Sequence, residues 1–371
     1  MTRSPRILLA GGGTGGHVYP AIAIADAVRA LEPEAAIAFA GTTDRLEWEA
    51  VPKAGYAIHP ITVSGLQRKL TPRNLAVPFK LARGLWQSWR LVGDFDADVA
   101  VGTGGYVSGP VLLAASLRGR PLVLQEQNAH AGVTNRLLAK RAAQIHVAFP
   151  EAKAAFPEAN CHLSGNPTRD DLRHADRAEA RAHFGVPEGA SMLLVFGGSL
   201  GSAALNAAMQ KHLAALLADE NAYVVWQTGN RYYDRLEAAV EDHPRLRLLK
   251  YIDRMDLAYA AADLALCRAG AITCSELMVT GTPAILVPSP NVAEDHQTKN
   301  ARSMETAGAA VLIPEARLDD AFLAEAPALL ADAERRTRMS EAARTLARPD
   351  AAHDIARNVL RLAGWNEARE A

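Results

Sequence analysis

The sequence predicts an α/β protein built from two doubly wound domains in tandem, and three observations predict it. Short apolar runs of strand length, several ending in glycine, alternate with longer stretches of helical periodicity. That is the pattern of parallel strands covered by helices on both faces. The pattern occurs twice, once on each side of a polar stretch, and 371 residues exceed what a single hydrophobic core usually serves.

In the first series the strand candidates are residues 6–10, 36–40, 58–63, 99–101, 122–124 and 145–149. After Gly165-Asn166-Pro167 the chain turns polar and charged through Asp176. Residues 166–176 therefore read as a linker between an N-terminal domain, 1–165, and a C-terminal domain, 177–350. The second series runs 192–196, 224–227, 246–249, 264–267, 284–287 and 310–313. Beyond about Asp319 the pattern is helical, and 351–371 reads as a terminal helix. Ligands of such sheets bind outside the carboxyl ends of the strands.

Forty basic against forty-one acidic side chains leave a net charge of -1, so no global field draws the protein to nucleic acid. The three cysteines, Cys161, Cys267 and Cys274, show no C-x-x-C spacing, which points to a reduced, cytoplasmic setting. The apolar stretch before Gly11 is too short for a signal-peptide core, and no run approaches the roughly 20 residues of a membrane span.

Three glycine turns follow strands: Gly11-Gly12-Gly13-Thr14-Gly15-Gly16-His17, Gly102-Thr103-Gly104-Gly105-Tyr106 and Gly197-Gly198-Ser199-Leu200-Gly201-Ser202. The first satisfies G-x-G-x-x-G and on its own suggests a dinucleotide cofactor. That reading wants an acidic residue closing the second strand, where Ala40-Gly41-Thr42 stands instead. Three such turns on two domains suit two phosphate-bearing ligands better than one dinucleotide. The plain alternative is that the glycines only permit tight strand-to-helix turns.

At G-G-G-T-G-G-H-V-Y-P-A, G-T-G-G-Y-V-S-G-P, E-Q-N-A-H-A-G-V-T-N-R, G-N-P-T-R, G-G-S-L-G-S and C-R-A-G-A-I-T-C-S-E the chain closely resembles the MurG-type family. These are the cytoplasmic N-acetylglucosaminyltransferases that convert lipid I to lipid II in peptidoglycan synthesis. The resemblance runs from near residue 7 to near residue 310. It implies the GT-B fold, two Rossmann-like domains facing across a cleft, and inverting transfer of N-acetylglucosamine from UDP-N-acetylglucosamine to the 4-hydroxyl of the MurNAc of an undecaprenyl-diphosphate-linked acceptor. It implies no cofactor and no metal. It also places the protein peripherally on the cytoplasmic face of the cell membrane, with an anionic membrane surface and other cell-wall synthesis proteins as partners.

On this resemblance the donor residues of the second domain are Arg169, Ser199, Ile252, Arg268, Glu276, Gln297 and Asn300, joined from the first domain by Thr14, Gly15, Gly16 and Asn128. Glu276 is expected on the ribose hydroxyls, Ser199 and its glycine turn on the diphosphate, Arg169 and Arg268 as its countercharge, and the Ile252 backbone on uracil. The acceptor side comprises Gly104, Gly105, Tyr106, Glu126, Gln127 and His17. Histidine titrates near neutrality, so His17 is the candidate general base; capping its helix or orienting the acceptor diphosphate are its other readings. The chain departs from some members at Gln125, Leu200, Ala269 and His296. The last lies where sugar hydroxyls should be read.

Asp94-Phe95-Asp96 has the D-x-D spacing of metal-dependent glycosyltransferases. It precedes a strand, on the edge away from the expected ligand side, and reads as structural. From Ala50 through Gly93 there is no Asp or Glu, while Lys53, Arg68, Lys69, Arg73, Lys80, Arg83 and Arg90 are basic. Leu75, Phe79, Trp86 and Trp89 recur there at helical spacing, with Pro78 near the start. Aromatics with basic flanks describe an interfacial helix on anionic lipid; a buried helix with a basic rim is the other reading. Two further functions fit the architecture: a UDP-N-acetylglucosamine 2-epimerase, which needs carboxylates for proton removal at C2, and a non-catalytic lipid-binding subunit.

Overall fold

Along the first strand, β1 (Arg6–Gly11), Ile7 and Leu9 turn to one face and Leu8 and Ala10 to the other, all fully buried. Successive strand side chains point to opposite sides, so a strand apolar on both is one covered on both. The computed structural model describes residues 3–63, 77–198 and 200–365. They form two compact units, Met1–Thr168 with Asp350–Ala371, and Arg169–Pro349.

The first unit contains β1, α1 (Gly15–Leu31), β2 (Ala36–Gly41), α2 (Glu47–Lys53), β3 (Ala57–Pro60), α3 (Val77–Asp94), β4 (Val99–Gly104), α4 (Ser108–Leu117), β5 (Leu122–Glu126), α5 (Val133–Leu138), β6 (Gln144–Val147) and β7 (Cys161–Leu163). Its strands make one parallel sheet in the order β3-β2-β1-β4-β5-β6-β7. The order reverses between β1 and β4, so the turns leaving those two strands flank the switch point where doubly wound sheets bind ligands. Leu8, Ala100, Leu122 and Leu124 pack against Val92 of α3 and Val111 and Leu112 of α4. Ile7, Leu9, Val101 and Val123 pack against Val18, Ile24 and Val28 of α1.

The second unit runs α6 (Arg177–Phe184), β8 (Ser191–Phe196), α7 (Ala203–Leu217), β9 (Ala222–Gln227), α8 (Tyr233–Glu237), β10 (Leu246–Leu249), α9 (Met255–Ala261), β11 (Leu264–Cys267), α10 (Ala271–Thr280), β12 (Ala284–Leu286), α11 (His296–Thr306), β13 (Ala310–Leu312), α12 (Leu318–Ala331) and α13 (Ala333–Leu346). Its parallel sheet has the order β10-β9-β8-β11-β12-β13, with its own reversal between β8 and β11.

Several boundaries differ from the sequence reading, each for a local reason. The terminal helix α14 (Ala351–Leu362) lies on the first unit, where Ile355, Val359 and Leu360 join the α1 face of the core. Of the expected linker, Asp170–Arg173 forms a 3-10 turn against α9 and α10, anchored by buried Leu172, and Asp176 caps α6 by accepting from the Glu179 amide at 2.8 Å. β3 stops at Pro60 because the Thr62 amide turns to Gln87 Oε1 of α3 at 2.7 Å. Three-residue β7 was too short for its period to show. Pro78 lies within α3. Arg68, Lys69, Arg73 and Leu75 lie outside the described residues.

His146 in β6 is fully buried, with Nδ1 2.7 Å from Ser164 Oγ, Nε2 3.3 Å from Gln144 Oε1, and the His162 ring 5.6 Å away. Burial first, and His162 second, push its pKa down to about 3. The unfolded chain takes up this proton near pH 6.5 while the folded chain refuses it until about 3. The neutral ring thus supports the fold above pH 6.5, and that support declines as pH falls toward 3, by at most about 5 kcal/mol. Chemical denaturation between pH 7 and 4.5 should show the parent losing stability more steeply than His146→Gln; parallel slopes would refute the assignment.

Candidate active site

The turns leaving β1 and β4 pack on each other, and glycine is what lets them. A Cβ on Gly105 (φ 81°) would stand 2.3 Å from the Gly12 carbonyl oxygen, and one on Gly104 (φ 100°) 2.8 Å from His17 Nδ1. His17, in the first turn of α1, is thereby pressed against the end of β4. Its Nδ1 lies 2.8 Å from the Thr103 carbonyl and 3.0 Å from Gln127 Oε1. Gln127 is oriented by its own amide, which donates to the Thr103 carbonyl at 2.7 Å and the Gln125 carbonyl at 3.1 Å. Both groups facing Nδ1 are therefore acceptors, which requires Nδ1 to carry a proton. In the neutral ring Nε2 then holds the lone pair, as a general base needs.

The rest of the first-unit set divides into exposed and internal groups. Tyr106 is two-thirds exposed, and Tyr19, two residues after His17, is half exposed. Thr14, Gly15 and Gly16 form the N-terminus of α1, where the amides of Gly15 and Gly16 have no intrahelical partner. Glu126, expected to face the acceptor, is instead buried and spent within its loop. Its carboxylate accepts from the Asn128 amide (3.1 Å), Asn128 Nδ2 (3.3 Å), the Gly132 amide (2.9 Å) and Asn135 Nδ2 (2.8 Å). Gln127 is also buried and serves His17. Behind it Gln125 donates to Asn166 Oδ1 at 2.8 Å, and Asn166 donates to the Gln127 carbonyl at 3.0 Å.

In the second unit the glycine turn after β8 leads into α7, capped by Ser202; Ser199 itself lies outside the described residues. A Cβ on Gly201 (φ 77°) would fall 2.0 Å from the Thr228 carbonyl, so this turn too is packed against the end of a neighbouring strand. Gln227 at the end of β9 fastens it, donating to the Gly198 carbonyl at 2.9 Å and accepting from the Ile252 amide at 3.2 Å. The Ile252 N–H is thus already engaged. On α10, Glu276 accepts from the Tyr259 hydroxyl at 2.9 Å. Burial raises its carboxyl pKa, against the opposing pulls of Tyr259 and of Arg169, whose side chain is half exposed.

Arg268, expected as a phosphate clamp, is internally committed. It donates to the carbonyls of Val287 (3.0 Å) and Pro288 (3.1 Å) and pairs with Glu315. Gln297 Oε1 accepts from the Ser289 amide at 2.8 Å, and fully buried Asn300 donates to the Ala269 carbonyl at 3.2 Å. The structure so groups Arg169, Tyr259 and Glu276, and separately Gln297 and Asn300 at the ends of β11 and β12. Sequence reasoning missed Thr103, Gln227 and Tyr259; a polar residue closing an apolar strand, as Gln227 does, was the available signal. In the D-x-D segment, Asp96 pairs with Arg3 and Arg120, and Asp94 with Arg90.

Two glycine-turn α/β units with these sites are the construction of nucleotide-sugar glycosyltransferases. Residues 7–147 match the glycosyltransferase family 28 N-terminal domain and residues 192–355 its C-terminal domain, and the chain belongs to that family. It is 66% identical, over 98% of both chains, to the UDP-N-acetylglucosamine--N-acetylmuramyl-(pentapeptide) pyrophosphoryl-undecaprenol N-acetylglucosamine transferase of Salinibacter ruber. The enzyme of the same name from Flavobacterium psychrophilum is 42% identical over 96% of this chain and 97% of its own. Among solved structures, Acinetobacter baumannii MurG superposes with a TM-score of 0.79 at 30% identity, covering 96% of this chain and 99% of that one. The fold is GT-B, shared with a UDP-N-acetylglucosamine 2-epimerase-like protein of Listeria monocytogenes, at TM-score 0.68 and 15% identity, over 96% of this chain and 95% of that one.

The tautomer gives a direct test of the His17 geometry. In 15N-histidine-labelled protein, the neutral His17 ring should show the proton on Nδ1 and a lone pair on Nε2. An Nε2–H signal would contradict the arrangement.

Proposed function

We propose that this chain transfers N-acetylglucosamine, with inversion, from UDP-N-acetylglucosamine to the MurNAc 4-hydroxyl of an undecaprenyl-diphosphate-linked acceptor, the step from lipid I to lipid II. The observation that carries the chemistry is the Nδ1-anchored ring of His17 at the foot of two packed glycine turns. His17 Nε2 takes the proton of the acceptor hydroxyl, the oxygen attacks C1 of the donor sugar, and the C1–O bond to UDP breaks as the diphosphate takes up negative charge. Glu276, with Tyr259 on one oxygen, receives the ribose hydroxyls. The α7 N-terminus and Arg169 meet the diphosphate. Arg268 shapes the β12 end instead of touching phosphate, and uracil is read at Ile252 either through its carbonyl or after displacing Gln227.

An epimerase role is disfavoured by the same geometry. Proton removal at C2 requires available carboxylates, and Glu126 beside the His17 network is saturated by four donors. A non-catalytic role is disfavoured because the sequence keeps both domains and both sets of glycine loops.

We also propose that α3 seats the protein on the cytoplasmic face of the membrane. Phe79, Leu81, Trp86 and Trp89 are exposed at 79, 54, 59 and 40%, an apolar surface that water disfavours. Lys80, Arg83 and Arg90 flank it, with Arg90 over the Trp86 ring at 5.4 Å and Arg118 over Trp89 at 4.3 Å. Among the described residues no helix is long and apolar enough to cross a bilayer, so attachment would be interfacial.

Two experiments test these readings. With labelled UDP-N-acetylglucosamine, a lipid I analogue and a chelator, the protein should release UDP only when acceptor is present, and His17→Ala should lower kcat by about 10²- to 10⁴-fold with donor affinity retained. Equal turnover in the variant excludes His17 as base, and epimer formation without acceptor favours the rival. Vesicle binding should rise with anionic lipid, weaken in high salt and fall for Phe79→Ser/Trp86→Ser; insensitivity to all three removes the membrane proposal.

A further inference from the structure

A carboxylate sits where an anion-binding turn should be hostile to one. Glu47, the first residue of α2, is 1% exposed and lies against the inside of the first glycine turn. Its Oε2 accepts from the Gly13 amide at 2.9 Å; its Oε1 accepts from the Thr42 amide at 3.1 Å and the Thr42 hydroxyl at 2.7 Å. One side chain thus staples the turn after β1 to the turn after β2.

The glycines around it are shaped to this carboxylate. A Cβ on Gly12 would stand 2.5 Å from Glu47 Oε1, and one on Gly41 2.8 Å from Glu47 Cγ. Gly13 is required for a different reason: at φ 90° and with open space where its Cβ would be, it supplies the conformation that aims its N–H at Glu47. From the opposite side the Thr103 hydroxyl donates to the His17 carbonyl at 2.7 Å, and Gly105 abuts Gly12. The Gly12–Gly13 segment is therefore gripped between Glu47 and the β4 turn.

Two consequences follow. The Gly13 amide, which the glycine-rich pattern would offer to a phosphate, is consumed by a side chain of the same charge sign. The open amides are then those of Gly15 and Gly16 at the start of α1, immediately before His17. We infer that Glu47 is a positioning residue for the transfer reaction: its buried carboxylate fixes the height of the first glycine turn, and through it the placement of the Gly15 and Gly16 amides and of the His17 ring. This inference rests on the reading of His17 given above. It assigns Glu47 no contact with either substrate.

The test compares Glu47→Gln and Glu47→Asp with His17→Ala in the acceptor-dependent assay, alongside UDP titration and thermal unfolding. Glu47→Gln keeps the shape but turns an amide N–H₂ toward a donor, and should lower kcat by about 100-fold, the scale of an ångström-sized misplacement. The affinity for UDP, whose ribose and diphosphate are assigned to the second unit, should stay within about twofold. Glu47→Asp, which keeps the charge but draws it back, should fall between Glu47→Gln and the parent. Gly12→Ala, harmful alone because of the Glu47 contact, should add little in a Glu47→Ala background, a non-additivity that independent sites do not show. In the unmodified protein the Gly13 and Thr42 amides should be protected from hydrogen exchange, which requires no variant to fold.

A kcat for Glu47→Gln within twofold of the parent, additive Gly12 and Glu47 effects, UDP affinity falling in step with kcat, or rapid exchange at Gly13 would each overturn the inference. If His17→Ala is itself fully active, the reading of the site fails first. If His17→Ala is inactive and Glu47→Gln is active, only the role of Glu47 fails.

Discussion

The arrangement of the first unit depends on one backbone group, the carbonyl of Thr103 at the end of β4. It accepts both from His17 Nδ1 and from Gln127 Nε2, so a single oxygen fixes the proton on the ring and the orientation of the amide that shares the task. A carbonyl has two lone pairs and can serve both without leaving either donor unsatisfied. The constraint propagates outward. For His17 to reach this carbonyl, α1 must begin close to the β4 turn, which leaves no room for side chains at Gly104 and Gly105. Within the stretch that looks like a phosphate fingerprint, Gly11 and Gly12 are thus required by packing, since a Cβ on them would meet Thr103 and Glu47, while Gly13 and Gly16 have room for one.

The second unit meets the same problem with different groups. Its glycine turn closes against the Thr228 carbonyl, and the side chain that fastens it is again a glutamine at the carboxyl end of a strand, Gln227. A neutral amide is suited to this position because it can donate to one turn and accept from another without adding charge there. Charge is supplied elsewhere and unequally. Arg169 is half exposed, pairs with the equally exposed Asp171 at 3.6 Å and still acts on Glu276, whereas the less exposed Arg268 guanidinium is matched by two carbonyls and Glu315. An arginine with its donors satisfied has little to gain from a phosphate.

Much of the architecture was legible because strand and helix periods are properties of local sequence. The buried runs of β1, β4, β5, β8 and β11 announce themselves, and glycine marks where several of them end. What was not legible depends on contacts between distant residues. No pattern near Gly12 and Gly13 reveals that Glu47, more than thirty positions on, fills the space beside them. Nothing in Gln125-Glu126-Gln127-Asn128 tells which members face a ligand; only the fold shows that Glu126 is saturated by its own loop while Gln127 turns to His17. Arg268 shows the same limit, since its motif suggests phosphate and its neighbours Val287, Pro288 and Glu315 claim it. α14, remote in sequence from the first unit, rejoins it through Ile355, Val359 and Leu360, a packing that only three-dimensional proximity discloses.

Fold alone does not choose between a transferase and an epimerase, because both chemistries occupy this architecture, and the choice falls to what the side chains have left to offer. Abstraction of a proton from carbon demands a strong, available base near the sugar. The carboxylates beside the first glycine turn and the His17 network, Glu47 and Glu126, already accept three and four hydrogen bonds, which occupy the oxygens that would have to approach a carbon-bound proton. Deprotonating a hydroxyl as it attacks asks much less, since the proton moves only as the new bond forms, and a ring nitrogen of moderate basicity suffices. In the proposed reaction that nitrogen is Nε2 of His17, the ring being held from its other side by the Thr103 carbonyl and Gln127.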